Sequence, residues 1–316
     1  MNHEIRSEQF DQLLEANLAG NGSADREFQA LLELAGRLRE LPNPGFKARL
    51  KAEIERRTSM LATTTTLREG LSTLTPVLMV RDAAPLMEFM ERAFGAVKVM
   101  STGTPKGGLH AEMRIGDSMV MIGGGEALPE KGSMAIHLYV PDTDAVYKQA
   151  LEAGGKSLGA PEDRPYGERS GFIEDPAGNQ WFIGTPLGGR GTTLGGRAIP
   201  EGHVLLNPYI HAKSARALMA FLSEAFGAEE IACHEVGGRV MHADMRIGDS
   251  VLEMGEAEFG PSAFYLYVDD PDAAYRNALA AGATSLYEPA DRPYGERNAG
   301  VVDPFGNQWF PARTIA

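Results

Sequence analysis

Three words occur twice in this chain, each time in the same order. MRIGDS stands at Met113–Ser118 and again at Met245–Ser250, DRPYGER at Asp163–Arg169 and Asp291–Arg297, and GNQWF at Gly178–Phe182 and Gly306–Phe310. The first word repeats after 132 positions and the other two after 128, so the second copy is slightly shorter between its halves. Three word-for-word matches in order are the mark of an internal duplication, and the fold must be one that a duplicated unit can build. A length of 316 residues agrees, since it exceeds what a single compact core usually holds.

Each copy divides again into two similar halves. Leu74–Val80 and Leu205–His211 have strand character, and each precedes a helical pattern, with Asp82 or Ser214 placed as N-cap. Leu86, Phe89, Met90 and Ala93 recur at helical spacing, as do Leu218, Phe221, Leu222 and Ala225, before the glycine stops Gly95 and Gly227. Strand candidates follow at Val97–Thr102, Leu109–Ile115 and Ser118–Ile122. Met134–Val140 opens the second half, Asp142 can cap a helix running through Leu151 to Gly154–Gly155, and the last strands meet at the turns Asp175–Gly178 and Asp303–Gly306. The fold class predicted is therefore α+β, with a βαβββ module stated four times.

Composition narrows the functional classes. A formal net charge of −13 argues against a nucleic-acid surface, which needs clustered Lys and Arg. Cys233 is the only cysteine, which excludes an intrachain disulfide or a thiolate metal cluster. The opening MNHEIRSEQF has no signal-like apolar run, and no stretch approaches the roughly 20 apolar residues of a membrane helix, so a cytoplasmic home is expected.

The AFG that ends the first helix of each copy, the YGER segment and the DPxGNxW ending together resemble the vicinal oxygen chelate superfamily, in its glyoxalase and bleomycin-resistance range, and within it the PhnB-like branch. The resemblance covers about residues 72–187 and 203–312. It implies that paired βαβββ modules curl eight strands into a cup around a ligand or metal, so that four modules make two tandem cups, like a homodimer fused into one chain. The expected domains are a helical leader at 1–62, a linker at 63–71, a first glyoxalase-like domain at 72–187, a linker at 188–202 and a second domain at 203–316.

The same resemblance implies where a metal would be held. Metal-dependent members place a His, Gln or Glu on the first strand of a module and another late in it. Aligned on Asp82, the first-strand positions here carry Thr75 and Asn207, and in the second halves Ala135 and Ala263. The late positions carry Met121, Glu253, Phe182 and Phe310. One carboxylate among eight positions cannot hold a catalytic ion, which needs about three protein ligands, so neither metal nor cofactor is expected.

A metal-free cup is expected to take a small organic molecule against apolar and aromatic walls. In the second copy the candidate ligand-binding residues are Asn207, Tyr209, His211, Glu253, Tyr265 and Phe310; in the first they are Thr75, Met79, Met121, His137 and Phe182. Glu253 is the one candidate catalytic residue, as a proton acceptor. It also leads to the expectation that the second copy holds the more specific site. His110–Glu112 and His242–Asp244 are paired two apart on strands and read as polar strand faces or structural histidines, and His203 reads as a surface residue of the linker. The DRPYGER and GNQWF segments read mainly as turns and core. Cys233 and His234 face opposite ways on a strand and make no nucleophile.

The leader carries an apolar helical face, Phe28, Leu31, Leu32, Leu34, Ala35 and Leu38, then Pro42, Pro44 and a basic helix at Phe46–Arg57. It packs on its own protein, forms a solvated arm, or docks a protein partner through residues 1–60. Three functions remain: a metal-independent, bleomycin-resistance-like binding protein; a glyoxalase-class lyase or isomerase with an unusual metal or acid-base site; and a metabolite sensor acting through the leader.

Overall fold

The computed structural model describes residues 67, 70–104, 107–188, 191–194, 197–200 and 202–315. The helical leader predicted at 1–62 lies outside these residues. The βαβββ module appears four times: β1 (Leu74–Val80), α1 (Ala84–Phe94), β2 (Val97–Gly103), β3 (Leu109–Ile115), β4 (Ser118–Gly124); β5 (Ala135–Tyr139), α2 (Thr143–Glu152), β6 (Lys156–Arg164), β7 (Glu168–Glu174), β8 (Gln180–Pro186); β11 (Leu206–Ala212), α3 (Ala215–Phe226), β12 (Glu229–Val236), β13 (Arg239–Ile247), β14 (Ser250–Glu256); and β15 (Ala263–Tyr267), α4 (Pro271–Ala280), β16 (Thr284–Arg292), β17 (Glu296–Val302), β18 (Gln308–Thr314). A small ribbon of β9 (Gly191–Leu194) and β10 (Arg197–Pro200) occupies the expected linker between the copies.

Local chemistry sets the helix ends. Gly95 and Gly227 close α1 and α3 at φ 65° and 68°, where a side chain would be strained. Asp142 and Asp270 cap α2 and α4 by accepting from the amides of Ala145 and Ala273. Ser214 sits at the predicted cap but makes no cap bond; the Glu256 carboxylate accepts from Ala215 N instead, at 3.1 Å. Asp82 lies one residue before the cap, Ala83, and accepts from Ala84 N at 3.1 Å.

The strands form two eight-stranded mixed sheets, and each draws on both copies. The first runs β16-β17-β18-β15-β1-β4-β3-β2, joining the opening module to the last; the second runs β12-β13-β14-β11-β5-β8-β7-β6, joining the two middle modules. The seams are antiparallel, Thr75 opposite Tyr265 in the first sheet and Asn207 opposite His137 in the second. The helices follow the copies instead. Arg92 of α1 bonds Glu152 O, Gln149 of α2 bonds Arg92 O, and Phe94 packs on Trp181 with ring centroids 4.5 Å apart. Phe226 and Trp309 repeat that contact in the second copy at 5.2 Å. One continuous core lies between helices and sheets, from Leu78 and Phe89 through Trp181 to Leu252 and Trp309. The helical layer thus ties the halves of a copy together while the sheets tie the copies to each other.

The GNQWF words are turn and core, as expected. Asp175 accepts from the amides of Ala177 and Asn179, from Asn179 Nδ2 and from Trp181 Nε1; Asp303 repeats all four bonds with Phe305, Asn307 and Trp309.

Candidate functional site

The sheet pairing redistributes the candidate residues. His137 and Phe182 of the first copy join Asn207, Tyr209, His211 and Glu253 of the second on one sheet, the second cup. Thr75, Met79 and Met121 join Tyr265 and Phe310 on the other, the first cup. The expectation of one site per copy is therefore corrected: each cup takes half its wall from each copy, because the β1–β15 and β5–β11 seams close between copies.

The two cups differ in chemistry. Val77, Met121, Ala263, Tyr267 and Phe310 fill the first with a small apolar cluster, against which Leu67, Leu71, Met79, Tyr265 and Tyr287 pack. Its polar groups are partnered: Asn298 donates to Tyr265 Oη at 3.2 Å and Tyr267 donates to Glu296 at 3.1 Å.

In the second cup a row of buried ionisable groups crosses the sheet. Glu253 stands opposite Asp244 on β13 and opposite Tyr209 on β11. His137 Nδ1 donates to the Glu253 carboxylate, 2.8 and 3.0 Å from its two oxygens. His137 Nε2 lies 3.2 Å from Glu168 Oε2, at an angle too poor for a hydrogen bond. Burial alone would lower the His137 pKa; the flanking Glu253 and Glu168 carboxylates outweigh it and hold the ring well above the ordinary histidine range, as imidazolium. His242 donates to Asp244 at 2.8 Å, and His203 Nε2 stands 3.8 Å from Asp244 and 3.7 Å from Glu253. Burial would raise the Asp244 pKa, but the neighbouring His203 and the hydrogen-bonded His242 bring it well below the usual carboxylate range. Tyr139 packs on His137 at a tilt of 36° with ring centroids 4.3 Å apart, and burial beside the carboxylates keeps its hydroxyl protonated.

Aromatic groups continue the wall. Phe182 meets Phe172, Tyr209 and His211 edge to face, at 5.3, 4.9 and 5.7 Å. Burial pushes the His211 pKa down to about 4, and its Nε2 pairs with Gln180 Oε1 at 3.1 Å. An exchange between the copies is visible here. Phe172 on β7 faces Gly159 on β6, whereas in the first cup Tyr287 on β16 faces Gly300 on β17. In both cups an arginine covers the aromatic ring, Arg164 over Phe172 and Arg292 over Tyr287.

Asn207 and Thr75 are used locally. Asn207 bonds Val204 through both its oxygen and its nitrogen, and Thr75 Oγ1 bonds Ser72 O. With Ala135, Ala263, Phe182, Phe310 and Met121 at the other family positions, the residues present do not fit a metal centre of the family's type.

Sequence reasoning under-weighted four residues. His203 is corrected from a surface residue to one whose side chain is 7% exposed and turned toward the acidic row. His242 and Asp244 do form the expected structural hydrogen bond, but the β13–β14 register also sets them beside Glu253. Glu168 lies inside the DRPYGER turn; strand alternation sends it into the cup while Arg169 turns outward to Asp144 and Asp163. That alternation was the available signal for Glu168. For His203 it was the 132-residue offset, which places Leu71 at the matching position of the first copy.

Comparison with known proteins agrees with this architecture. The family model described as Glyoxalase/Bleomycin resistance protein/Dioxygenase superfamily matches residues 72–183 and 202–310. An uncharacterized protein of Mycobacterium bovis is 36% identical over 126 residues, 36% of this chain and 83% of that one. A second Mycobacterium bovis protein, provisionally named glyoxylase CFP32, is 29% identical over 187 residues, 54% of this chain and 65% of that one. Among solved structures, glyoxalase I from Zea mays superimposes with a TM-score of 0.60 at 17% identity, covering 76% of this chain and 92% of that one, a likeness of fold.

Proposed function

This chain belongs to the glyoxalase/bleomycin resistance protein/dioxygenase superfamily, and within it we propose that the chain binds a small organic molecule in its second cup, in the manner of a bleomycin-resistance-type binding protein. One observation carries the proposal: His137, 8% exposed, sits between Glu253 and Glu168 next to an aromatic wall, while the first cup has Tyr265 and Met121 in place of His137 and Glu253 and binds its matching Glu296 to Tyr267. Buried charge is costly unless it is partnered; the first cup buries the Glu112 carboxylate, but among the described residues a buried histidine held between two carboxylates stands in the second cup, which suggests use. The ligand class that fits has a planar or apolar face for Phe182, Phe172 and Tyr209 and a polar group for the His137–Glu253 pair. No dependence on a metal at the family's positions is part of this reading.

An acid-base enzyme is the second reading. The hydrogen bond between Glu253 and His137 favours it, because such a dyad can take a proton from a bound substrate and return it.

Native mass spectrometry of freshly purified full-length protein tests the binding reading. One carried organic adduct per chain is expected in the wild type and in Met121→Gln, and it should be lost in Glu253→Gln. An adduct retained by Glu253→Gln but lost from Met121→Gln would place binding in the first cup and overturn the proposal.

A further inference from the structure

The second cup also sets beside Glu253 three side chains, His203, His242 and Asp244, that its organic-ligand role does not require. One donor atom from each of His242, Asp244 and Glu253 lies within 4.8 Å of the others, and His203 Nε2 reaches to 3.7 Å from Glu253 and 3.8 Å from Asp244. Two imidazoles and two carboxylates, all but His242 nearly buried, thus converge from β13, β14 and the segment before β11. We propose that His203, His242, Asp244 and Glu253 hold a divalent transition-metal ion, at a site that shares only Glu253 with the ligand positions of the superfamily.

The distances suit an ion. Donors bound to one centre at about 2.1 Å stand about 3.0–4.2 Å apart, according to the angle between them. The His203 separations fall inside that range, and the 2.8 Å His242–Asp244 contact is a hydrogen bond that opens by a few tenths of an ångström when an ion replaces its proton. Mixed imidazole and carboxylate donors suit zinc, cobalt, nickel or manganese rather than calcium or magnesium. His137 completes the arrangement as a positioning residue. Its Nδ1 proton is donated to Glu253, which fixes that carboxylate as an outer-shell donor fixes a metal ligand.

The duplication supplies an internal control. The corresponding positions of the first copy are Leu71, His110, Glu112 and Met121, so His110 and Glu112, 3.7 Å apart, lack the other two donors. Only one of the four proposed ligands, Glu253, occupies a position that the superfamily uses.

The test uses cobalt(II) and zinc(II) alone, added to full-length protein stripped with a chelator, so it does not depend on the organic-ligand reading. One ion per chain is expected by titration calorimetry and by elemental analysis, with ligand-field absorption bands for cobalt. Asp244→Asn and His242→Ala should each abolish stoichiometric binding and the bands, with circular dichroism showing the fold retained. His137→Gln should weaken affinity about 10–100-fold, and Glu112→Gln should leave one ion in place. No binding at micromolar ion, two ions per chain, or full binding by Asp244→Asn would overturn the proposal. Loss of the ion in Asp244→Asn with the organic adduct unchanged supports the ion site and shows that adduct binding does not need it.

Discussion

The contrast between the cups can be turned into a double-mutant cycle, using residues the chain already contains. His137 and Glu253 of the second cup correspond to Tyr265 and Met121 of the first. Glu253→Met alone leaves the buried His137 Nδ1–H without its acceptor, with only the badly angled Glu168 nearby. Breaking a buried pair in this way costs about 3–5 kcal/mol if the ring stays charged, and about 1–3 kcal/mol if it gives up its proton. A net loss of about 3 kcal/mol is expected. His137→Tyr alone leaves two carboxylates facing an apolar ring and should cost about as much. The double variant removes both difficulties. Its new Tyr hydroxyl can reach Ser170, which stands where Asn298 meets Tyr265, and Glu168 can accept from Tyr139 as Glu296 accepts from Tyr267. The double variant should therefore lie within about 1.5 kcal/mol of the wild type, giving a coupling free energy of at least about 4.5 kcal/mol. Urea unfolding followed by far-ultraviolet circular dichroism measures it, provided the slope with denaturant is the same in all four proteins. A double variant whose loss equals the sum of the two single losses would refute the claim that the pair is a mutually dependent unit.

Other perturbations follow from the same geometry. A Cβ on Gly184 would stand 2.6 Å from Glu168 Oε1 and 2.7 Å from His137 Nε2, so Gly184→Ala should cost about 1–3 kcal/mol and also weaken ligand retention, as read by unfolding midpoint and native mass spectrometry. A Cβ on Gly300 would stand 2.6 Å from the Tyr287 ring, so Gly300→Phe alone should destabilise, while Tyr287→Gly with Gly300→Phe, which copies the Gly159–Phe172 pair, should recover most of the loss in a thermal melt. Asp303→Ala removes the acceptor of four hydrogen bonds, two of them from buried backbone amides or Trp309, and should lower stability by about 3–5 kcal/mol in urea titration. His211, with its pKa lowered to about 4 by burial, contributes stability that is fully present above the ordinary histidine pKa near 6.5 and lost as pH falls toward 4. Between pH 7 and pH 5 that loss is about 1–2 kcal/mol, and His211→Phe should flatten the pH profile of the melting temperature over this window.

Much of the fold was legible in the residues, because local signals specify local structure. The repeated words located the copies, Gly95 and Gly227 located the helix ends, and the Asp-Pro turns located the last strands. The pairing of modules was not legible. β1 and β11 carry similar apolar patterns, and nothing in either states whether its antiparallel neighbour comes from the same copy or the other. The candidate residues were consequently grouped by copy, with Tyr265 and Phe310 beside Glu253, when the sheet sets His137 and Phe182 there. Register hid the acidic row for a related reason. His242 and Asp244 resemble any polar strand face until β14 places Glu253 opposite Asp244. His203 lies outside every module, so no strand or helix pattern could assign it a direction. Glu253, in contrast, was legible as the odd carboxylate of an apolar strand, and the structure buries it against His137, since a charge in such a setting needs a partner wherever the sheet puts it.

The central claim is that one binding site exists, made by His137 from one copy and Glu253 from the other. The organic molecule released from the purified protein, titrated calorimetrically into the stripped wild type, His137→Gln, Glu253→Gln and Met121→Gln, tests it directly. One molecule should bind per wild-type chain, with binding weakened by at least about 1 kcal/mol in His137→Gln and in Glu253→Gln and unchanged in Met121→Gln. Two equivalent molecules per chain, or binding that survives both His137→Gln and Glu253→Gln, would contradict the account.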